Sequence, residues 1–224
     1  MNRGVVIVAG GRGQRMGSEM PKQYMKLLGK PVIIHTLEIF FHFDPHMKVV
    51  LVLASDHRKF WNEIPFSDEY GSRIEFAQGG ESRYDSVKNG LRLIDDDLVV
   101  GIHDAVRPLV SLETLERCYA SAAESGSGIP VIEMDESVRM VKGEGHSVPM
   151  DRSRLRRVQT PQVFRSAMIK EAYNQPGNAE FTDDAAVYES LFERVRLVAG
   201  NRENIKITTP TDLQLASILI RTVK

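Results

Sequence analysis

Residues 5 to 23, VVIVAGGRGQRMGSEMPKQ, constrain the fold more than any other stretch of this chain. Val5 to Ala9 is a short apolar, β-branched run, the pattern of a strand buried on both faces. It breaks at once into Gly10, Gly11 and Gly13. Glycines there let the backbone turn sharply, approach a ligand closely and aim N–H groups at an anion. Arg15 and Lys22 follow within reach of the same loop. Amide donors, a guanidinium and an ammonium together make a triphosphate cradle, able to offset the charge of a phosphoryl-transfer transition state. The loop is not a P-loop, because no G-x-x-x-x-G-K-[ST] run occurs. It is not the dinucleotide fingerprint either, since Met16 stands where a third glycine would be. The plain alternative is an ordinary tight βα turn with surface charges.

The remaining chain alternates strands and helices, as an α/β sheet requires. LGKPVIIHTLEIFFHF predicts a helix with Pro31 in its first turn and Ile34, Leu37 and Phe41 on one face. Met47 to Ala54 predicts a second buried strand, and Asp56 a cap for a helix through Phe60 and Trp61. Arg73 to Ala77 predicts a third strand, followed by the turn Gly79-Gly80 and a helix from Ser82 to Leu93. Glu81 and Ser82 lie at that helix start, where backbone N–H groups are unpaired. Such a turn either reads a nucleobase edge, with Ser86 adding a hydroxyl, or is a capped helix start. Leu98 to Ile102 predicts a fourth strand ending in His103-Asp104-Ala105-Val106-Arg107-Pro108.

A carboxylate at the end of a parallel strand lies where open α/β sheets bind ligands. Asp104 is therefore a candidate for a divalent cation, since Mg²⁺ takes one or two protein carboxylates and leaves the rest of its shell to phosphates and water. Arg107 either orients a substrate phosphate or locks its own loop. His103 reads as structural, because a lone histidine is not a metal site. Ser111 caps a predicted helix to Ser125.

From Gly128 the rhythm changes. After a strand at Ile129 to Ile132, the residues through Phe164 read as a hairpin arm turning at Lys142-Gly143-Glu144-Gly145. The arm, at about residues 134 to 160 of a single domain spanning 1 to 224, has too few apolar residues for its own core. Such an arm buries its apolar side against another subunit. Its cations include Arg139, Arg152, Arg154, Arg156 and Arg157; they either form a solvated face or supply one charge in trans to a neighbour's phosphate site. Beyond it come a helix from Ser166, one from Thr182 as N-cap, a strand at Glu193 to Val198, a last strand at Asn204 to Ile207 and a helix from Pro210. Lys206, near a strand end, either faces the cleft or lies on the surface.

The 224 residues suit one large α/β domain, and the 42% hydrophobic and 26% charged composition suits a globular core. A formal net charge of −1 gives no global basic field for nucleic acid or membrane. The single cysteine, Cys118, excludes an internal disulfide and a cysteine-rich zinc site. No signal-peptide pattern and no membrane-length apolar run occurs, so a cytoplasmic setting is expected.

AGGRGQRM, PKQ, GGESRYDSVKNGL, HDAVRP, MDR, QTPQVF, FTDDA and NIKITTPTDL occur in one order along residues 5 to about 220. Together they resemble the 2-C-methyl-D-erythritol 4-phosphate cytidylyltransferase family of non-mevalonate isoprenoid synthesis. The resemblance implies a Rossmann-like nucleotidyltransferase fold, a mostly parallel sheet flanked by helices, with a projecting β-arm and a homodimer. It implies transfer of CMP from CTP to methylerythritol phosphate with Mg²⁺ and release of pyrophosphate. The family's catalytic cations fall on Arg15 and Lys22, and its nucleotide loop on Ala9, Gly10, Gly11 and Gly13. Its cytosine-reading residues fall on Gly80, Glu81 and Ser86, and its metal-associated aspartate on Asp104. Its substrate-phosphate groups fall on Arg152 of a partner's arm, Thr182 and Lys206, with Arg107 beside them.

Two departures stand out. Gly10 replaces the more usual second alanine, and Ser137 with Arg139 replaces an acidic-Thr-x-Lys pattern while keeping a hydroxyl and a charge for substrate. A ribitol-5-phosphate cytidylyltransferase is the nearest rival, sharing the opening loop, HDAVRP and NIKITTP. Met150-Asp151-Arg152 before TPQ favours methylerythritol phosphate. A non-catalytic nucleotide-binding module is the alternative of another class; binding alone does not require Arg15, Lys22 and Asp104 together.

Overall fold

The computed structural model describes residues 1–10, 20–64, 72–175 and 181–222. Its centre is a sheet built on β1 (Arg3–Val8), β4 (Lys48–Leu53), β5 (Ile74–Gln78) and β6 (Val99–Asp104), all parallel. A small ribbon of β2 (Lys26–Leu27) and β3 (Lys30–Pro31) precedes the first helix. The apolar runs are continuous because the sheet is covered on both faces, and side chains alternate between two cores. Val5, Ile7, Val49, Leu51 and Leu53 pack with α1 (Val32–Phe43) and α4 (Leu112–Ser125). Val6, Val50, Val52, Val100 and Ile102 pack with α3 (Arg83–Leu91), α5 (Ser166–Asn174) and α6 (Asp184–Phe192). The short α2 (Arg58–Asn62) places Trp61 in the first core. Gly90 lets α3 approach the sheet; a Cβ there would sit 2.5 Å from Val6 and 2.8 Å from Val52.

The sheet continues beyond β6 with β11 (Gln162–Arg165), antiparallel to both β6 and β7 (Ser127–Glu133). β10 (Arg156–Val158) pairs antiparallel with β7, and β12 (Leu197–Ala199) pairs parallel with it. The segment expected to be all hairpin therefore divides. β8 (Val138–Gly143) and β9 (His146–Met150) form an exposed hairpin, while Arg156 onward rejoins the main sheet. Alternation alone did not separate the two, because a short strand reads the same in a ribbon and at a sheet. The hairpin turns at Glu144 and Gly145, with φ of 35° and 80°, the positive values that two-residue hairpin loops favour.

Other expectations are corrected. Asn204 to Ile207 is irregular chain, although the Ile207 N–H donates to the Val106 carbonyl. Asp56 lies in a 3₁₀ turn (Ser55–His57) and caps nothing by its side chain. Asp183, not Thr182, caps α6, accepting from the Ala186 N–H at 3.0 Å. Gln162 selects that start by donating to Asp183 and accepting from the Ala185 N–H. Glu193, at φ 64°, ends α6 rather than opening a strand. α7 (Pro210–Thr222) closes a third apolar cluster, in which Ala216 and Ile220 meet Leu27, Val106 and Ile207. Among the described residues no helix is long and apolar enough to cross a membrane.

Candidate active site

The C-terminal ends of β1, β4, β5 and β6 open into one cleft of about 640 Å³. Val8, Ala54, Gly79 and Asp104 mark those ends, and Lys22, Glu81, Ser82, Arg83, Ser86 and Lys206 complete much of the wall. This is where a doubly wound sheet collects its ligands.

Lys22 enters the cleft from a 3₁₀ turn (Lys22–Tyr24) that long-range bonds tie down. The Gln23 amide donates to the Ala9 carbonyl at 2.7 Å and lies 3.1 Å from His57 Nδ1. The Tyr24 hydroxyl donates to the His57 carbonyl at 3.2 Å. Gln23, the residue after Lys22, thus ties that turn to the end of β1. Ala9 and Gly10 line the cleft beside it. Gly11, Gly13 and Arg15 lie outside the described residues.

On the opposite wall, β5 feeds the Gly79-Gly80 turn, whose Gly79 N–H donates to the Leu53 carbonyl at 2.7 Å. The Gly80 N–H donates to Ser86 Oγ at 3.0 Å, and that hydroxyl donates to the Ser82 carbonyl at 2.9 Å. Ser82 and Asp85 form a capping box at the start of α3. Gly80 must be glycine, since an added Cβ would stand 2.3 Å from the Asp85 Cβ. The helix start is capped, and the same turn lines the cleft. Ser86 is buried with its proton committed to Ser82, so it shapes the turn rather than presenting a free donor.

At the far end Asp104 gathers three cations. Lys206 Nζ is 3.0 Å from it, Arg107 Nε 3.3 Å and Arg83 Nε 3.9 Å. Burial by itself would raise the carboxyl pKa, but Lys206, Arg83 and Arg107 outweigh burial and hold it well below the usual carboxylate range. For Arg107, burial outweighs the Asp104 charge and lowers its pKa. Arg107 also donates to the Asn204 carbonyl at 2.8 Å. It locks the segment carrying Lys206 onto the end of β6.

His103 sits behind the aspartate as a structural residue. The Asp104 N–H donates to Thr160 Oγ1 at 3.1 Å, Thr160 Oγ1 is 3.0 Å from His103 Nδ1, and His103 Nε2 is 3.1 Å from the Arg107 carbonyl. A neutral ring satisfies both ends by accepting at Nδ1 and donating at Nε2. Burial pushes its pKa down to about 4.

The other sequence candidates lie outside this wall. Ser137 and Arg152 are exposed, and Arg152 donates to the Asp135 carbonyl at 2.6 Å. Thr182 is exposed ahead of α6. Arg83 and Asp184 went unassigned in the sequence. Arg83 lines the cleft and binds buried Asp184 through both terminal nitrogens, at 2.8 and 2.7 Å. The signal was present as a cation inside GGESRYDS and a second aspartate in FTDDA, but 101 residues separate the partners.

Among the described residues no three His, Cys, Asp or Glu side chains cluster in a way that could hold a metal alone. Around Asp104 the balance is three cations (Arg83, Arg107, Lys206) against two carboxylates (Asp104, Asp184). That surplus disfavours a bare dication and favours one arriving with triphosphate. The donor set therefore fits Mg²⁺ held mainly by phosphate oxygens.

Comparisons with known proteins agree over the full length. The family model for 2-C-methyl-D-erythritol 4-phosphate cytidylyltransferase matches residues 4–222. A Bacteroides fragilis protein of that name is 50% identical over 222 residues, covering 98% of this chain and 100% of the relative. One from Phocaeicola vulgatus is 47% identical over 221 residues, covering 98% and 100%. Crystal structures of the namesake proteins from Francisella tularensis and Thermus thermophilus each align with a TM-score of 0.80 and 31% identity. They cover 97% and 99% of this chain and 99% and 100% of their own.

Proposed function

The chain belongs to the 2-C-methyl-D-erythritol 4-phosphate cytidylyltransferase family, and from that premise we propose how its cleft moves CMP from CTP to 2-C-methyl-D-erythritol 4-phosphate. The products are 4-diphosphocytidyl-2-C-methyl-D-erythritol and pyrophosphate, in isoprenoid precursor synthesis. The observation that carries the assignment of roles is the meeting of Lys22, Asp104 and Lys206 with the Gly80 turn in one cleft.

An oxygen of the acceptor's phosphate attacks the α-phosphorus of CTP. The bond from that phosphorus to the bridging oxygen breaks, and pyrophosphate leaves with the electron pair. The acceptor is already an anionic nucleophile, so alignment and charge stabilisation suffice without a general base. Gly80 and Glu81 hold the cytosine end, on a turn that Ser86 shapes. Lys22, with Arg15, offsets charge on the transferred and leaving phosphates, while Lys206 and Thr182 hold the acceptor phosphate. Arg107 keeps Lys206 in place. Mg²⁺ would be held by Asp104 and nucleotide phosphates, supplying a Lewis acid for the developing charge.

The hairpin presents Met140 and Val141, 41% and 74% exposed, on a ribbon without a core of its own. We assign it to a homodimer contact, in which Ser137 and Arg152 serve the neighbouring subunit's acceptor site. A lone buried thiol suits a reducing compartment, and we place the enzyme in the cytoplasm. The test is pyrophosphate release from CTP and Mg²⁺ with methylerythritol phosphate and ribitol 5-phosphate offered separately. Release with the former alone is expected; release with ribitol 5-phosphate alone would overturn the acceptor.

A further inference from the structure

Arg83 is the first residue of α3, so it belongs to the base-side turn, yet its guanidinium reaches the phosphate end. Both terminal nitrogens are fixed on Asp184, a fully buried carboxylate. The Tyr173 hydroxyl holds that carboxylate from behind, donating to Oδ1 at 2.7 Å. Tyr173 is itself buried and stacked on Tyr84 at 4.7 Å between ring centroids. Three contacts in sequence thus link Tyr84, Tyr173, Asp184 and Arg83. A guanidinium is a planar fork with donors on more than one edge. The end-on edge is occupied by Asp184, and the Nε edge is not. It faces Asp104 Oδ1 at 3.9 Å, beyond hydrogen-bond length, and among the described residues Nε makes no hydrogen bond. The side chain is 33% exposed and lines the cleft.

A salt bridge that only joined α3 to α6 would not need an open donor edge in the cleft. We propose that Arg83 is a nucleotide-binding residue of the transfer site, held by Asp184 and Tyr173 so that its Nε edge meets the phosphate next to the nucleoside. That phosphate is indicated by position, because Arg83 stands between the Gly80-Ser82 turn and Asp104. Before ligand arrives, the Asp104 carboxylate is the anion facing that edge, and it is shared with Lys206 and Arg107. The inference rests on the cytidylyltransferase reading of the cleft.

The experiment separates binding from folding with the double variant Arg83→Gln, Asp184→Asn. It replaces the buried ion pair by a neutral amide pair, so that no buried charge is stranded. Melting temperature, direct binding of CTP and CMP, competition by cytidine, and turnover are measured for it and for the wild type. The double variant is expected to melt within a few degrees of the wild type, bind CTP and CMP about 10-fold more weakly, and compete with cytidine unchanged. Turnover falls about 10²-fold. Unchanged CTP and CMP binding overturns the proposal, and so does an equal loss for cytidine and CMP. Arg83→Lys, which keeps a charge for Asp184 but has no Nε edge, must show the same phosphate-specific loss if the double variant fails to fold. A wild type that releases no pyrophosphate from CTP with methylerythritol phosphate would instead sink the reading of the cleft, before any variant is compared.

Discussion

The two walls of the cleft are wired in different ways. On the wall proposed to meet the base, Gly80, Ser82, Asp85 and Ser86 bond to one another within seven residues of chain. On the wall proposed to meet phosphate, Asp104 meets Lys206 from the segment before α7 and Arg83 from α3, and Arg83 meets Asp184 from α6. The first wall is short-range hydrogen bonding around a helix cap, with the Asp85 carboxylate accepting from Ser82. The second is charge, partly removed from water, and each member depends on partners set in place by other elements. A local wall can form with its helix; a wall of distant charges exists only once the sheet and its flanking helices are assembled.

Lys206→Ala should have the largest effect. It removes a cation that faces Asp104 without removing a core side chain, so turnover should fall by about 10² to 10³-fold while the melting temperature changes little. Steady-state pyrophosphate release beside a thermal melt checks both. A parallel loss of stability would mean that the phosphate wall is structural first.

Ser86→Ala tests the local wall. It leaves the Gly80 N–H and the Ser82 carbonyl without their hydroxyl partner, and one lost hydrogen bond is worth about 1 kcal/mol. The KM for CTP should rise several-fold with the acceptor KM unchanged. A change in both would show that the two walls are not separable.

Acid should act on the Asp104 side of the cleft through His103 behind it. His103 has a folded value of about 4, below the ordinary value near 6.5, so the unfolded chain binds the proton more readily. Its contribution to stability is present above pH 6.5 and is lost as pH falls towards 4. Asp104, also depressed, adds a loss at still lower pH as the unfolded carboxyl begins to take up protons. Melting curves from pH 7 to 4.5 should therefore decline, with a shallower slope for His103→Asn. An equal slope would remove His103 as the cause.

The smallest effect is expected beneath both walls. Burial pushes the Cys118 thiol up to about 12, and its side chain is closed inside α4's packing face. The native protein should react with a thiol reagent at pH 8 only at the rate of unfolding. Rapid labelling would mean that the core under the cleft opens locally.

Much of the base side was legible because its signals are local. Glycines mark the turn, Ser82 and Asp85 stand three apart as a capping box requires, and Ser86 follows one turn later. The strand ends were legible for a related reason: β-branched runs stop abruptly at Ala9 and at His103-Asp104. The strand expected at Asn204 to Ile207 was not borne out, because a short apolar alternation does not say whether a sheet edge is available to it. Thr182 gave way to Asp183 because Gln162, far away in sequence, bonds both Asp183 and the Ala185 N–H.

By itself the sequence determined the alternation of elements, the glycine turns, the order of motifs and the presence of Lys22, Asp104 and Lys206 as charge carriers. Those properties follow from local conformational preference and from residue chemistry. Tertiary structure alone decided that Arg83 answers to Asp184, that Arg107 locks Asn204, and that β11 enters between β6 and β7. These pairings are between residues whose separation in the chain carries no signal, and they become favourable only when the packed sheet removes both partners from water together.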